Sequence, residues 1–176
     1  MGDAIVLNAI SFAVDMDQLA KRLHIVPGSD SAAEFAALAE EAQRIAHPKA
    51  LYRLAFLTSR DEQNVTIEGV RFTSRVLSVN LQKAHRVFAY MATCGTELDD
   101  WAHSKSDPLQ QFWAEAIKES ALRAAIKAMN EDLERRYKPG KTSTMNPGSL
   151  LDWPLKEQRP LFALLGDPQA AIGVRL

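Results

Sequence analysis

Apolar residues along the chain fall into a few distinct rhythms. Phe35, Leu38, Ala42 and Ile45 recur every three to four positions within 32–47, and 29–31 supply capping hydroxyls ahead of them, so this stretch predicts an amphipathic helix stopped by Pro48. Leu51, Tyr52, Leu54, Phe56 and Leu57 crowd into 51–58, which predicts a buried strand. After a polar turn at 60–64, Val65, Ile67 and Val70 alternate with polar positions up to and across Gly69, predicting a second strand and its end. A short helix is expected over 72–81. Residues 86–94 form a nearly continuous apolar run that stops at Gly95, as a central strand does.

Behind Gly95, the residues Glu97, Asp99 and Asp100 gather where a helix N-terminus welcomes negative charge. Pro108 opens the longest periodic stretch, through Phe112, Trp113, Ile117, Ala121, Met129 and Leu133, predicting one long helix to about Tyr137. Residues 138–149 hold Pro139, Gly140, Pro147 and Gly148 and read as a loop, and loops of this length in compact domains are often functional. Asp152 and Pro154 predict a helix start continuing to Gly166, and 171–176 reads as a final strand. The first apolar segment, 5–14, reads as a short strand or a tucked arm, and a brief helix follows to His24.

With 176 residues, 47% of them hydrophobic and 24% charged, the chain has the material for one ordinary domain, 1–176. Lys plus Arg number 21 against 22 Asp plus Glu, so no global field draws polyanions, and nucleic acid is not an expected partner. One cysteine excludes an internal disulfide and cysteine-based zinc sites. Neither an export signal nor a long apolar span is visible, which places the expected location in the cytoplasm and away from membranes.

Several residues invite chemical readings. Gly140-Lys141-Thr142 resembles the end of a phosphate loop, but Arg135 stands where the motif needs its first glycine. Cys94, between a strand and a helix N-terminus, is either a small core residue or a thiol activated by the helix dipole. His24, His47, His85 and His103 share no metal-binding spacing. Asp99 and Asp100 are adjacent on a helix, so they point about 100° apart and read as a solvated face. The stretch Thr144, Met145, Asn146, Pro147, Gly148 and Ser149 mixes stiff and permissive residues, reading either as a ligand-facing loop or as a plain connection. Basic residues exceed acidic ones around it, which favours a carboxylate or phosphate group nearby.

Taken in order, Ala92-Thr93-Cys94-Gly95 after a strand, the long helix, Asn146-Pro147-Gly148-Ser149, Trp153-Pro154-Leu155-Lys156-Glu157-Gln158, Leu161-Phe162-Ala163-Leu164-Leu165 and Ile172-Gly173-Val174-Arg175-Leu176 resemble the activation domain of vitamin B12-dependent methionine synthase, in particular the small stand-alone proteins of that family. The match is strongest from Phe88 onward, and 1–50 is a weakly matched N-terminal helical part. The resemblance implies an α+β fold with an antiparallel-dominated sheet beside packed helices. It also implies S-adenosylmethionine as the ligand, and a corrinoid (cobalamin) carried by a partner, either a corrinoid protein or a cobalamin-dependent methyltransferase. In that family the domain docks over the corrinoid so that the reduced cobalt is methylated and returned to the catalytic cycle.

The family's donor-binding loop falls on 144–149. Thr144 stands where the long enzymes have an arginine for the donor's carboxylate, and Ser149 where they have a tyrosine, so a charge-assisted bond is lost. Lys141 and Arg136 are the nearby cations. Two functional readings follow: a methionine synthase reactivation protein with little turnover of its own, or a noncatalytic interaction module of the same fold that has lost S-adenosylmethionine.

Overall fold

The computed structural model describes residues 2–176 and is α+β, with an antiparallel sheet and packed helices. In chain order the elements are β1 (Ile5–Leu7), α1 (Met16–Arg22), α2 (Asp30–Ile45), β2 (Lys49–Arg60), β3 (Asn64–Ile67), β4 (Val70–Thr73), α3 (Arg75–Asn80), β5 (Arg86–Thr93), α4 (Thr96–His103), α5 (Pro108–Tyr137), a 3-10 turn (Leu155–Glu157), α6 (Gln158–Leu165) and α7 (Pro168–Ile172). They form two compact units, each with its own core.

One unit comprises the chain up to Val6, Leu51–Met91 and Leu133–Leu176. Its sheet runs β1-β2-β3-β4, with β5 also paired to β2. A strand has two edges, so two of β2's three partners share one edge at different points along its twelve residues. The β3–β4 hairpin closes on the pair Ile67↔Val70. Its two connecting residues, Glu68 and Gly69, both have positive φ (49° and 82°), the backbone that a two-residue turn needs to match the strand twist. Alternation places Val65, Ile67 and Phe72 inside, where they meet Leu51, Ala55, Leu77, Ala89, Trp153, Leu164, Leu165 and Ile172. Burying each large apolar side chain contributes about 1.5–3 kcal/mol.

The other unit comprises Leu7–Ala50 and Ala92–Asp132. Ser29 caps α2 by accepting from the Ala32 amide at 3.2 Å, and Asp15 caps α1 from the Gln18 amide at 2.9 Å. Phe35, Leu38, Ala39 and Ala42 of α2 pack with Leu98 and Trp101 of α4 and with Trp113, Ile117 and Ala121 of α5. Phe35 meets Trp113 edge to face, centroids 5.7 Å apart.

Several sequence expectations change. Residues 171–176 are not a strand. Asp167 caps α7 by accepting from Ala170 at 2.9 Å, Pro168 sits in its first turn, and Gly173 ends it in the left-handed conformation. The single strand expected from Val65 through Val70 across Gly69 is a hairpin that turns at 68–69, so Phe72 lies in β4 and the following helix begins only at Arg75. Asp152 does not open the helix after Pro154. Its carboxylate instead accepts from Ser74 Oγ at 2.7 Å and the Val76 amide at 2.8 Å, fastening the start of α3. Phe112, placed on the long helix's buried face by periodicity, is 57% exposed beside the fully packed Trp113. Among the described residues no helix is long and apolar enough to cross a membrane.

Candidate functional site

The loop that carries 144–149 starts where α5 stops, after Tyr137. Lys138 and Gly140 both take positive φ (43° and 74°), which ends the helix and turns the chain. Tyr137, the last residue of α5, is held by aromatic contacts to Phe88, at 5.1 Å between centroids, and Tyr52, at 6.4 Å.

From there the loop is gripped through side chains. Met145 packs partly into the core of its unit, and Asn80 at the end of α3 donates from Nδ2 to its sulfur at 3.1 Å. Tyr90, on β5, donates its hydroxyl to Asn146 Oδ1 at 3.3 Å, and Thr144 lies within hydrogen-bonding reach of the same hydroxyl. The Asn146 carbonyl accepts both the amide (3.2 Å) and the hydroxyl (2.6 Å) of Ser149, closing a tight turn around Pro147 and Gly148. On the far side the Gly148 amide donates to the Trp153 carbonyl at 2.7 Å. Trp153 is buried in the core of this unit and pairs back to Leu150.

Gly148 is required by its backbone. Its φ is +91°, whereas the 2.9 Å approach of a would-be Cβ to Leu155 Cδ1 meets only the tip of an exposed, flexible side chain. Thr144, Asn146, Gly148 and Ser149 are exposed, whereas Met145 and Pro147 are half-buried. Burial pushes the Tyr90 phenol above its ordinary pKa, against the opposing hydrogen bond from Thr144, so the hydroxyl keeps its proton at neutral pH.

These contacts decide what the loop can offer a ligand. The Gly148 amide is spent on Trp153, but the amides of Met145 and Asn146 donate to no group among the described residues. Asn146 Nδ2 likewise has no acceptor there. On an exposed loop such donors are satisfied by solvent. None of the six residues carries a charge.

The remaining candidates resolve into structural roles. Cys94 is half-buried in the other unit, against its helical core. Burial pushes its thiol pKa up, Asp99 adds to the rise, and the nearby Lys118 ammonium opposes it without winning. Lys118 bridges Asp99 and Glu115; burial works against its ammonium, but the two carboxylates outweigh burial and raise its pKa. Asp99 is held low chiefly by the hydrogen bond from Lys118, while Asp100 faces solvent. Among the described residues no group of three His, Cys, Asp or Glu side chains is placed to hold a metal ion. Tyr90, Asn80 and Asp152 escape a reading by motif, because each acts on a partner more than fifty residues away.

Together these features define an α+β protein that presents a tethered, uncharged turn on one of its two units. Comparison with known proteins finds no matching family model and no matching curated protein.

Proposed function

We propose that this chain is a cytoplasmic activation protein of the vitamin B12-dependent methionine synthase kind, binding S-adenosylmethionine at 144–149 and serving a corrinoid protein or cobalamin-dependent methyltransferase. The observation that supports the reading is that 144–149, onto which the resemblance brings the donor-binding loop, is an exposed segment tethered by Tyr90 and Asn80. S-adenosylmethionine, when bound, supplies the methyl group for the partner's reduced cobalt. This chain's own contribution is to hold and orient the donor, so the isolated protein has little turnover of its own. Without a guanidinium at Thr144 the carboxylate is held by neutral donors alone, without the opposite charge and the bidentate fork that an arginine supplies.

A second reading, a docking module that binds no S-adenosylmethionine, is favoured by one observation. Leu150, Leu151 and Leu155, just beyond the turn, are 44%, 104% and 63% exposed. Isothermal titration with S-adenosylmethionine, using S-adenosylhomocysteine as control, separates the two. Binding in the micromolar range supports the activation protein, and the absence of heat up to millimolar ligand overturns it in favour of the docking module.

A further inference from the structure

A cleft of about 470 Å³ opens between the β2–β3 turn and α3, within a single unit, and is lined by Arg60, Asp61, Glu62, Arg75, Val79 and Gln82 together with the buried Ser78. Small organic ligands occupy spaces of this size. Arg75, Ser78 and Val79 stand at i, i+3 and i+4 and so share one face of α3, with Gln82 in the turn beyond it. Asn80, which reaches the 144–149 loop through Met145, lies roughly 140° around the helix from Arg75, so the cleft is a separate place. Its two walls are tied through Ser78, which is 2% exposed. The Ser78 hydroxyl donates to the Asp61 carbonyl at 2.5 Å, and the Ser78 carbonyl accepts from Arg60 Nη1 at 3.1 Å. A third tie runs from the Ser74 amide to the Gln63 carbonyl at 2.8 Å.

Four charged side chains line this cleft, and they are not equally occupied. The Asp61 carboxylate is taken up by its own turn: Oδ1 accepts from the Gln63 and Asn64 amides, both at 2.8 Å, and both oxygens meet Asn64 Nδ2. Arg60 uses one of its five N–H donors on Ser78. The Arg75 guanidinium donates to no group among the described residues and feels only the field of Asp152, whose carboxylate already serves Ser74 and Val76. Neither arginine has an ion pair among the described residues, so two planar cationic forks line one cleft with donors to offer. Glu62 is exposed, has no partner there either, and sits on the turn where it can swing into water. Beside these groups Val79 leaves 52% of its surface exposed, an apolar patch next to two cations.

We propose that this cleft binds a phosphate monoester, with the phosphoryl oxygens on Arg60 and Arg75 and the organic group against Val79. A phosphate ester near neutral pH carries a charge of roughly −1.5 to −2, which matches two guanidinium groups, and its tetrahedral oxygens accept from both forks at once. A simple carboxylate brings only one charge. The site is independent of the ligand proposed for 144–149 and stands or falls separately from it. Glu62 sharpens the chemistry: its charge opposes an anion, whereas a ligand with a cationic end would use it as a partner.

The test titrates the whole protein with phenyl phosphate as the probe, and with inorganic phosphate and benzoate for comparison, at low salt and after thermal melts confirm that each variant folds. Phenyl phosphate is expected to bind with a Kd of about 1 mM or tighter, as a ligand of its size allows, and both comparison anions several-fold more weakly. Arg60→Gln and Arg75→Gln should each weaken phenyl phosphate about tenfold, the loss expected for a charged hydrogen bond. Arg75→Gln decides the matter if Arg60→Gln does not fold, because the Arg75 guanidinium holds no structural bond. Glu62→Gln should tighten phenyl phosphate, and Val79→Ser should weaken it while leaving inorganic phosphate unchanged. Absence of phenyl phosphate binding up to about 10 mM overturns the proposal. So does equal affinity for inorganic phosphate or benzoate, or binding that Arg75→Gln leaves unchanged. Weaker binding in Glu62→Gln overturns it in favour of a ligand with a cationic end.

Discussion

Gly95 joins β5 to α4 at φ 95° and ψ 142°, a conformation that residues with a Cβ almost never adopt. Replacing it with alanine adds a second difficulty. The new Cβ would stand 2.6 Å from the His47 carbonyl oxygen and 3.1 Å from its carbon. That carbonyl cannot retreat easily, because His47 precedes Pro48, whose ring is fully buried, and the residue before a proline has few backbone options. The flexible Glu97 carboxylate, 2.9 Å from the same position, can move aside and adds little.

The backbone strain costs about 1–3 kcal/mol, and forcing atoms into a filled site costs about the same again. Loss of unfolded-state freedom returns roughly 0.5–1 kcal/mol. Gly95→Ala should therefore destabilise by about 2–4 kcal/mol. Gly28, in the same unit at φ +77°, provides the control, since nothing lies within 4 Å of its would-be Cβ. Gly28→Ala carries only the strain and should cost at most about 1–2 kcal/mol. Urea unfolding of both variants, read as shifts of the midpoint at constant slope, measures the difference. If the two variants unfold within about 0.5 kcal/mol of each other, the close approach at His47 is not what requires glycine, and the reasoning fails.

Two further outcomes follow from the ionisable groups. The Asp152 carboxyl is held below its ordinary pKa, first by the Val76 amide and then by the Ser74 hydroxyl. Its contribution to stability is thus complete above the unfolded-state value near ~4 and is lost as pH falls through the lower folded value. Asp152→Asn should lower the melting temperature at pH 7 and flatten the acid limb of stability against pH; an unchanged acid limb would count against the capping role. Cys94, with its thiol pushed up by burial, should react with iodoacetamide slowly at pH 7, with a rate that rises only above the pH at which a free cysteine responds. Full reactivity already at pH 7 in the folded protein would restore the activated-thiol reading.

What could be read from the sequence is what short-range physics controls. Helix α2 announces itself through the spacing of Phe35, Leu38 and Ala42 and the cap at Ser29, and β5 through an apolar run cut off by Gly95, because both signals arise within a few residues of where they act. Thr144, Met145, Asn146, Pro147, Gly148 and Ser149 were likewise recognisable as an unusual loop from composition alone. At 171–176 the apolar residues are too few to distinguish strand from helix, and the Asp167-Pro168 start with Gly173 at the end decides for a helix.

Tertiary structure alone decided the rest. The division of apolar residues between two cores, the transfer of Asp152 from an expected helix start of its own to the cap of α3, and the exposure of Phe112 beside buried Trp113 all depend on which surfaces meet. The same holds for the turn. Its residues are local, but the hydroxyl bonded to Asn146 comes from a strand 56 positions earlier and the amide bonded to Met145 from a helix 65 positions earlier. No local pattern encodes such pairs, because the interaction free energy that selects them exists only once the chain has closed around its core.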